Sequence, residues 1–176
     1  MALWGEIPRG LEDLKVAVLS SDTPGSNIDA PGARGFTVGV TSDSDQLEGD
    51  NAVIAVVRNP KVLSGDIEIG RLNLAALAAM VGGSATTSGS DPNQIITLNE
   101  SASAAAQYFQ AIGNTYSQDS SGSGYRLTGK KLLVVDGPNE SMTVNEWSTP
   151  TLSFEGVGIS GVLLTRANYQ TFAAVS

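Results

Sequence analysis

A chain of 176 residues is long enough for one domain with its own core, and with no cysteine and no histidine it can hold no disulfide, thiolate nucleophile, thiolate metal site or imidazole base. Eighteen acidic residues against ten basic ones give a formal charge of −8, so a DNA duplex repels the chain on average and sequence-specific DNA binding is not expected. Charged residues are 16% and hydrophobic residues 41% of the chain, too apolar for disorder, and no apolar run reaches the roughly 18 residues of a membrane helix.

Met1 to Gly10 carry neither a basic segment nor an apolar one, so nothing marks the chain for export and a cytoplasmic origin is expected. Asn99-Glu100-Ser101 and Asn139-Glu140-Ser141 then match a glycosylation triplet by chance. The expected organisation is an arm over 1–13, a body over 14–165 and a tail over 166–176. Twenty glycines and abundant Ser and Thr divide the body into short runs of Val, Ile, Leu and Thr, which predicts an all-β domain with one flanking α-helix.

The first predicted strand is Leu14 to Ser20, with Leu14, Val16 and Val18 on one face. Turns follow at Pro24-Gly25 and Pro31-Gly32, then a strand over Gly35 to Val40 with Phe36, Val38 and Val40 together. Asp43 to Asn51 reads as an acidic loop. Ala52 to Val57 and Val62 to Gly70 read as the arms of a long hairpin turning at Arg58-Asn59-Pro60-Lys61. Its second arm alternates, with Leu63, Gly65, Ile67 and Ile69 facing inward and Ser64, Asp66 and Glu68 facing water.

The spacing Leu74, Leu77, Ala78, Val81 predicts a helix over Asn73 to Val81, capped by Asn73 and stopped by Gly82-Gly83. A loop over Ser84 to Asn93 precedes a short strand, Gln94 to Leu98. Tyr, Phe, Ile and Thr over Gln107 to Tyr116 favour a strand although Ala105, Phe109 and Ile112 have helical spacing. Gln118 to Gly124 is a tip, followed by strands over Tyr125 to Val135, over Met142 to Trp147 continuing past Pro150 to Glu155, and over Gly158 to Thr165. Leu152 and Phe154 face inward, and Glu155 faces water.

No motif carries chemistry. Gly124 to Lys131 is one residue short of a phosphate-binding loop, and Leu132 to Val135 continues it as a strand where a helix N-terminus is needed. Asp43, Asp45, Glu48 and Asp50 crowd like a calcium loop, but Leu47 stands where a ligand belongs and Gly49 comes one position late. Asp66 and Glu68 could pair as glycosidase carboxylates, yet two positions apart on an exposed strand they read as a surface stripe. Serines lack a histidine base. No catalytic, cofactor-binding or metal-binding residue is expected. Trp4 and Trp147 read as packing residues, with Trp4 also able to anchor a neighbouring subunit.

The order of segments resembles the major tail tube proteins of long-tailed, non-contractile bacteriophages. The likeness runs through Leu11 to Leu19, Asp29 to Arg34, Gln46 to Ala55, Leu63 to Gly70 with a helix beginning at Leu72, and Asn145 to Gly156. It implies a β-sandwich or half-barrel with one flanking helix, assembled into hexameric rings stacked as a tube. It implies as partners further copies of the chain, a tape-measure protein, tail-end and tail-tip proteins, and DNA that passes without specific binding. It also implies a place in the virion after assembly in the host cytoplasm, with no membrane insertion. A sheet with one apolar and one acidic face suits the wall of such a conduit, because like charges keep a duplex from adhering.

Asp66 and Glu68, with Glu155, are then expected to face the bore. Asp43, Asp45, Glu48, Asp50 and the arm Ala2 to Glu12 are expected to contact adjacent subunits, with Arg9, Arg34, Arg58 and Arg71 as partners for the carboxylates. A stand-alone β-sandwich module that binds carbohydrate, and a related secretion-system tube, are the alternatives; the first needs clustered exposed aromatics, and aromatics are only 6%.

Overall fold

The computed structural model describes residues 10–49, 52–71, 73–100, 107–116, 124–138 and 149–169, side chains at 48, 49, 52–54, 116 and 169 excepted. Thirteen strands and one short helix occupy them, an all-β architecture with a single flanking helix. In chain order these are β1 (Asp13–Ser20), β2 (Thr23–Pro24), β3 (Ile28–Asp29), β4 (Ala33–Thr41), β5 (Ser44–Gly49), β6 (Ala52–Arg58), β7 (Val62–Ile69), α1 (Leu74–Val81), β8 (Ser84–Ser88), β9 (Ile95–Asn99), β10 (Phe109–Tyr116), β11 (Gly124–Asp136), β12 (Thr151–Gly156) and β13 (Leu164–Tyr169).

Nine of the strands form one sheet in the order β2-β1-β10-β11-β12-β7-β4, with β3 added to β1 and β13 added to β11. All of its ladders are antiparallel. The 13-residue β11 holds the sheet together, since its first half pairs β13 while its second half pairs β12.

The sheet rolls over its apolar face, which the alternation of Val, Ile and Leu dictates. Phe154 on β12 meets Phe36 on β4 at 5.9 Å and Phe109 on β10 edge-on at 6.5 Å. A Cβ at Gly113 on β10 would stand 2.7 Å from Phe36 on β4, although β4 and β10 are not neighbours in the sheet. Around these rings Leu14, Val16, Leu63, Ile67, Leu132 and Leu152 are fully buried, each contributing about 1.5–3 kcal/mol relative to exposure.

The helix completes the core with Ala76, Leu77, Ala79 and Met80. Asn73 caps it, accepting from the amides of Ala75 and Ala76 while its own Nδ2 donates to the carbonyl of Asp29 at 2.8 Å. Gly82 ends it in the left-handed region at φ 81°. Ser21 and Asp22, both at positive φ, form the two-residue turn that folds β2 back on β1.

Several expectations are corrected. The acidic segment expected to be a loop is strand β5, and β6 pairs with it in a separate two-stranded sheet. The long hairpin of β6 with β7 therefore does not form: β7 pairs β12 and β4 instead. A period of two identifies a strand but not its partner, and the inward Gly65 and Ile67 of β7 commit it to the rolled sheet. The predicted loop over Ser84 to Asn93 contains β8, a ribbon partner of β9. Gly158 to Leu163 is a turn closed by Ile159 and Val162, with Ser160 and Gly161 at positive φ. The last strand begins only at Leu164 and crosses the expected boundary after 165. The predicted strand over Met142 to Trp147 lies outside the described residues.

Candidate functional site

The alternation of β7 puts Leu63, Ile67 and Ile69 in the core and leaves Ser64 and Asp66 in water. Register extends that wet face sideways. Asp66 stands opposite Thr37 of β4 and Ser153 of β12, Glu68 opposite Gly35 and Thr151, and Ser64 opposite Gly39 and Glu155. Across the next ladder Ser153 pairs with Asp136, brought there by a bulge in β11 after Val134. Asp66, Glu68, Glu155 and Asp136 thus share one face of three adjacent strands, β7, β12 and β11.

Ser153 Oγ donates to Asp66 Oδ1 at 2.7 Å, which fixes that carboxylate. Arg34 Nε lies 3.9 Å from Glu68 Oε1, and both side chains are well solvated at 61% and 42% exposure, so this pair is a weak one. The face is an open depression of about 400 Å³ floored by Thr37, Ser64, Asp66, Ser153 and Glu155. Among the described residues it has no enclosed cleft to hold a sugar between two carboxyl groups. Asp66, Glu68 and Glu155, the expected bore-lining residues, are brought together; Asp136 joins them through a bulge that no period-two reading can locate.

The expected contact residues separate into three groups. Asp43 and Asp45 sit at the base of the β5–β6 ribbon, where Asn59 N donates to the Asp43 carbonyl at 2.8 Å and Asn59 Nδ2 to Asp45 Oδ2 at 3.3 Å. Arg58 stands opposite Ser44 in that ribbon, Arg34 faces Glu68, and Arg71 packs its Cβ against the Pro31-Gly32 turn. Among the described residues none of these arginines pairs with Asp43 or Asp45. Trp4, Arg9, Asp50, Trp147 and the side chain of Glu48 lie outside the described residues.

The phosphate-loop likeness dissolves, since Gly124 to Lys131 is extended backbone within β11. Lys131 is already engaged, with Nζ 2.5 Å from Asp22 and 4.7 Å from the centre of the Tyr108 ring. Among the described residues no cluster of three or more carboxylates is arranged to hold a metal ion, and no helix is long and apolar enough to cross a membrane.

A second polar region was not legible in the sequence. Asn114 on β10 is fully buried, accepting from Arg126 Nε at 2.7 Å. Asp13 lies opposite it on β1. Burial raises the Asp13 pKa above its ordinary 3.8, and neighbouring Asp29 adds to the rise while Lys15 opposes it. Among the described residues Asn114 Nδ2 and the neighbouring Thr115 Oγ1 are buried with no partner at full hydrogen-bond geometry, although the Asn114 side chain lies close enough to Asp13 to oppose the rise of its pKa. Thr115 lines an apolar pocket of about 290 Å³ with Leu11, Phe36, Tyr125 and Leu127, and Arg34 stands at its rim. No family model matches the chain, and no curated protein matches it in sequence.

Proposed function

We propose that this chain is a structural subunit that polymerises into a tube of the kind built by phage major tail tube proteins, with a β-sandwich or half-barrel body in stacked hexameric rings. The observation that carries the reading is the carboxylate face formed by Asp66, Glu68, Glu155 and Asp136 across β7, β12 and β11. Repeated around a ring and turned inward, it presents like charge to a passing duplex. Over a screening length of about 8 Å at physiological salt, that repulsion acts only close to the wall, so DNA slides without adhering.

Two further features support assembly over a solitary binding module. The β5–β6 and β8–β9 ribbons stand apart from the nine-stranded sheet, and they expose Leu47, Val56, Val57, Ile95 and Ile96 at 50–63%. The large hydrophobic residues exposed among those described are all aliphatic, whereas a sugar-binding face uses aromatic rings. Further copies, a tape-measure protein and tail-end and tail-tip proteins are the partners this reading gives the chain, with the virion as its place.

Negative-stain imaging of concentrated protein tests the reading: hollow filaments are expected, and discrete globules at every concentration overturn it. The bore assignment has its own test in the double variant Asp66→Lys, Glu68→Lys. Filaments of normal form but impaired DNA passage are expected, and unimpaired genome ejection removes those two residues from the wall.

A further inference from the structure

The β5–β6 ladder is continued at its base by the amide of Asn59, which donates to the carbonyl of Asp43. A lone two-stranded ribbon is marginally stable in water, and among its described side chains this one holds Leu47, Val56 and Val57 out to solvent. On one of its faces Asp45 stands opposite Val57 and Leu47 opposite Ala55; Leu47 and Val57 are each 62% exposed. That face combines a carboxylate with two bare aliphatic side chains.

A depression of complementary character lies between the end of β4 and the Ile159–Val162 turn, with a volume of about 420 Å³. Val40, Val162, Leu163 and Leu164 form its apolar part, and Lys61 and Arg166 supply two cations with no carboxylate in the lining. Among the described residues neither cation has an ion-pair partner. In a chain with 18 acidic and ten basic residues, two unneutralised cations beside exposed Val40 and Val162 form a surface that selects for an acidic, aliphatic partner.

We propose that the Asp45–Leu47–Val57 face of one copy seats in the Lys61–Arg166 depression of a second copy. Asp45 meets the two cations, while Leu47 and Val57 cover Val40 and Val162. The occupant is a second copy because Lys61 adjoins the ribbon's own base. Leu47 stands three residues, about 10 Å, further along the strand, and bringing it back would break the ladder that holds Ser44 opposite Arg58. The contact is heterologous, joining two different patches, and such contacts propagate into rings or filaments. This inference rests on the assembly reading and names a surface for it; it replaces the expected arginine partners Arg34, Arg58 and Arg71 with Lys61 and Arg166.

The natural absence of cysteine makes the test clean. Leu47→Cys and Val162→Cys are prepared as separate full-length variants, mixed under filament-forming conditions and oxidised. A disulfide forms only where the Cα atoms come within about 7 Å, so a mixed Leu47→Cys/Val162→Cys dimer on a non-reducing gel, confirmed by peptide mapping, is the expected product. Adding Lys61→Glu and Arg166→Glu to the Val162→Cys partner lowers its yield at least tenfold, and adding Asp45→Lys to the Leu47→Cys partner restores it. Filaments without the mixed product, or with Leu47→Cys homodimers instead, overturn this contact and leave the assembly reading standing. Absence of any filament fails the assembly reading and takes the contact with it.

Discussion

The rolled sheet and the β5–β6 ribbon are built from the same kind of antiparallel pair, yet they treat apolar side chains in opposite ways. In the sheet Leu63, Ile67, Leu152 and Phe154 are at most 1% exposed, while in the ribbon Leu47, Val56 and Val57 are at least 60% exposed. Strand pairing alone therefore does not remove apolar surface from water; a second layer must cover it. The sheet supplies its own layer by rolling up against α1, whereas the ribbon has none within the described chain. On the proposed reading, fold stability resides in the first region and association in the second, and substitutions in each should separate these two properties.

The sharpest break falls on Phe154. It touches Phe36 and Phe109 and packs its Cζ over Gly65 of β7, where a Cβ would lie 2.7 Å from the ring. Phe154→Ala removes the side chain that joins three strands of the roll, and a loss of about 3–5 kcal/mol is expected. Urea denaturation of the dilute protein measures it. A loss below about 1 kcal/mol would mean that the roll does not depend on this ring.

A smaller effect is expected at Asp13, on the strand that enters the core. Its pKa is raised by burial first and by Asp29 second, so the folded state binds its proton more tightly than the unfolded chain does. The sign follows from linkage: above the raised pKa the buried charge opposes folding, and that opposition fades as pH falls through the raised value toward 3.8. Asp13→Asn should therefore be more stable than the natural chain at pH 7, with the difference shrinking as pH approaches 4. Paired urea titrations at the two pH values check this, and an equal difference at both removes Asp13 as its source.

These regions were unequally legible in the sequence. The helix was, because Asn73 and Gly82 mark its ends and four apolar residues share a stripe. So was the wet face of β7, because period two puts Asp66 and Glu68 on the same side as Ser64. Strands β5 and β8 were not: Ser-Asp-Gln-Leu-Glu and Ser-Ala-Thr-Thr-Ser lack the apolar alternation of a half-buried strand, and only pairing with β6 and β9 makes them extended. The partner of β7 was also hidden, since a hairpin between neighbouring strands is the simplest connection and the chain instead returns β7 to β4. Lys61 and Arg166 carry no mutual signal in sequence, being joined only where β13 and the β12–β13 turn close on the end of β4.

The smallest expected effect lies at Leu47, and it is the most informative about the difference between the two regions. A serine there removes an exposed aliphatic group that no other described part of the same chain covers, so the dilute protein should change by no more than about 0.5 kcal/mol in urea. If copies associate through the proposed contact, the same substitution should raise the critical concentration for assembly, because that contact buries Leu47 against a second molecule. Light scattering follows the second property while denaturation follows the first. Should Leu47→Ser instead lower the stability of the dilute chain by more than about 1 kcal/mol, the ribbon would be packed against its own body, and its exposed residues would belong to folding in the same way as Phe154.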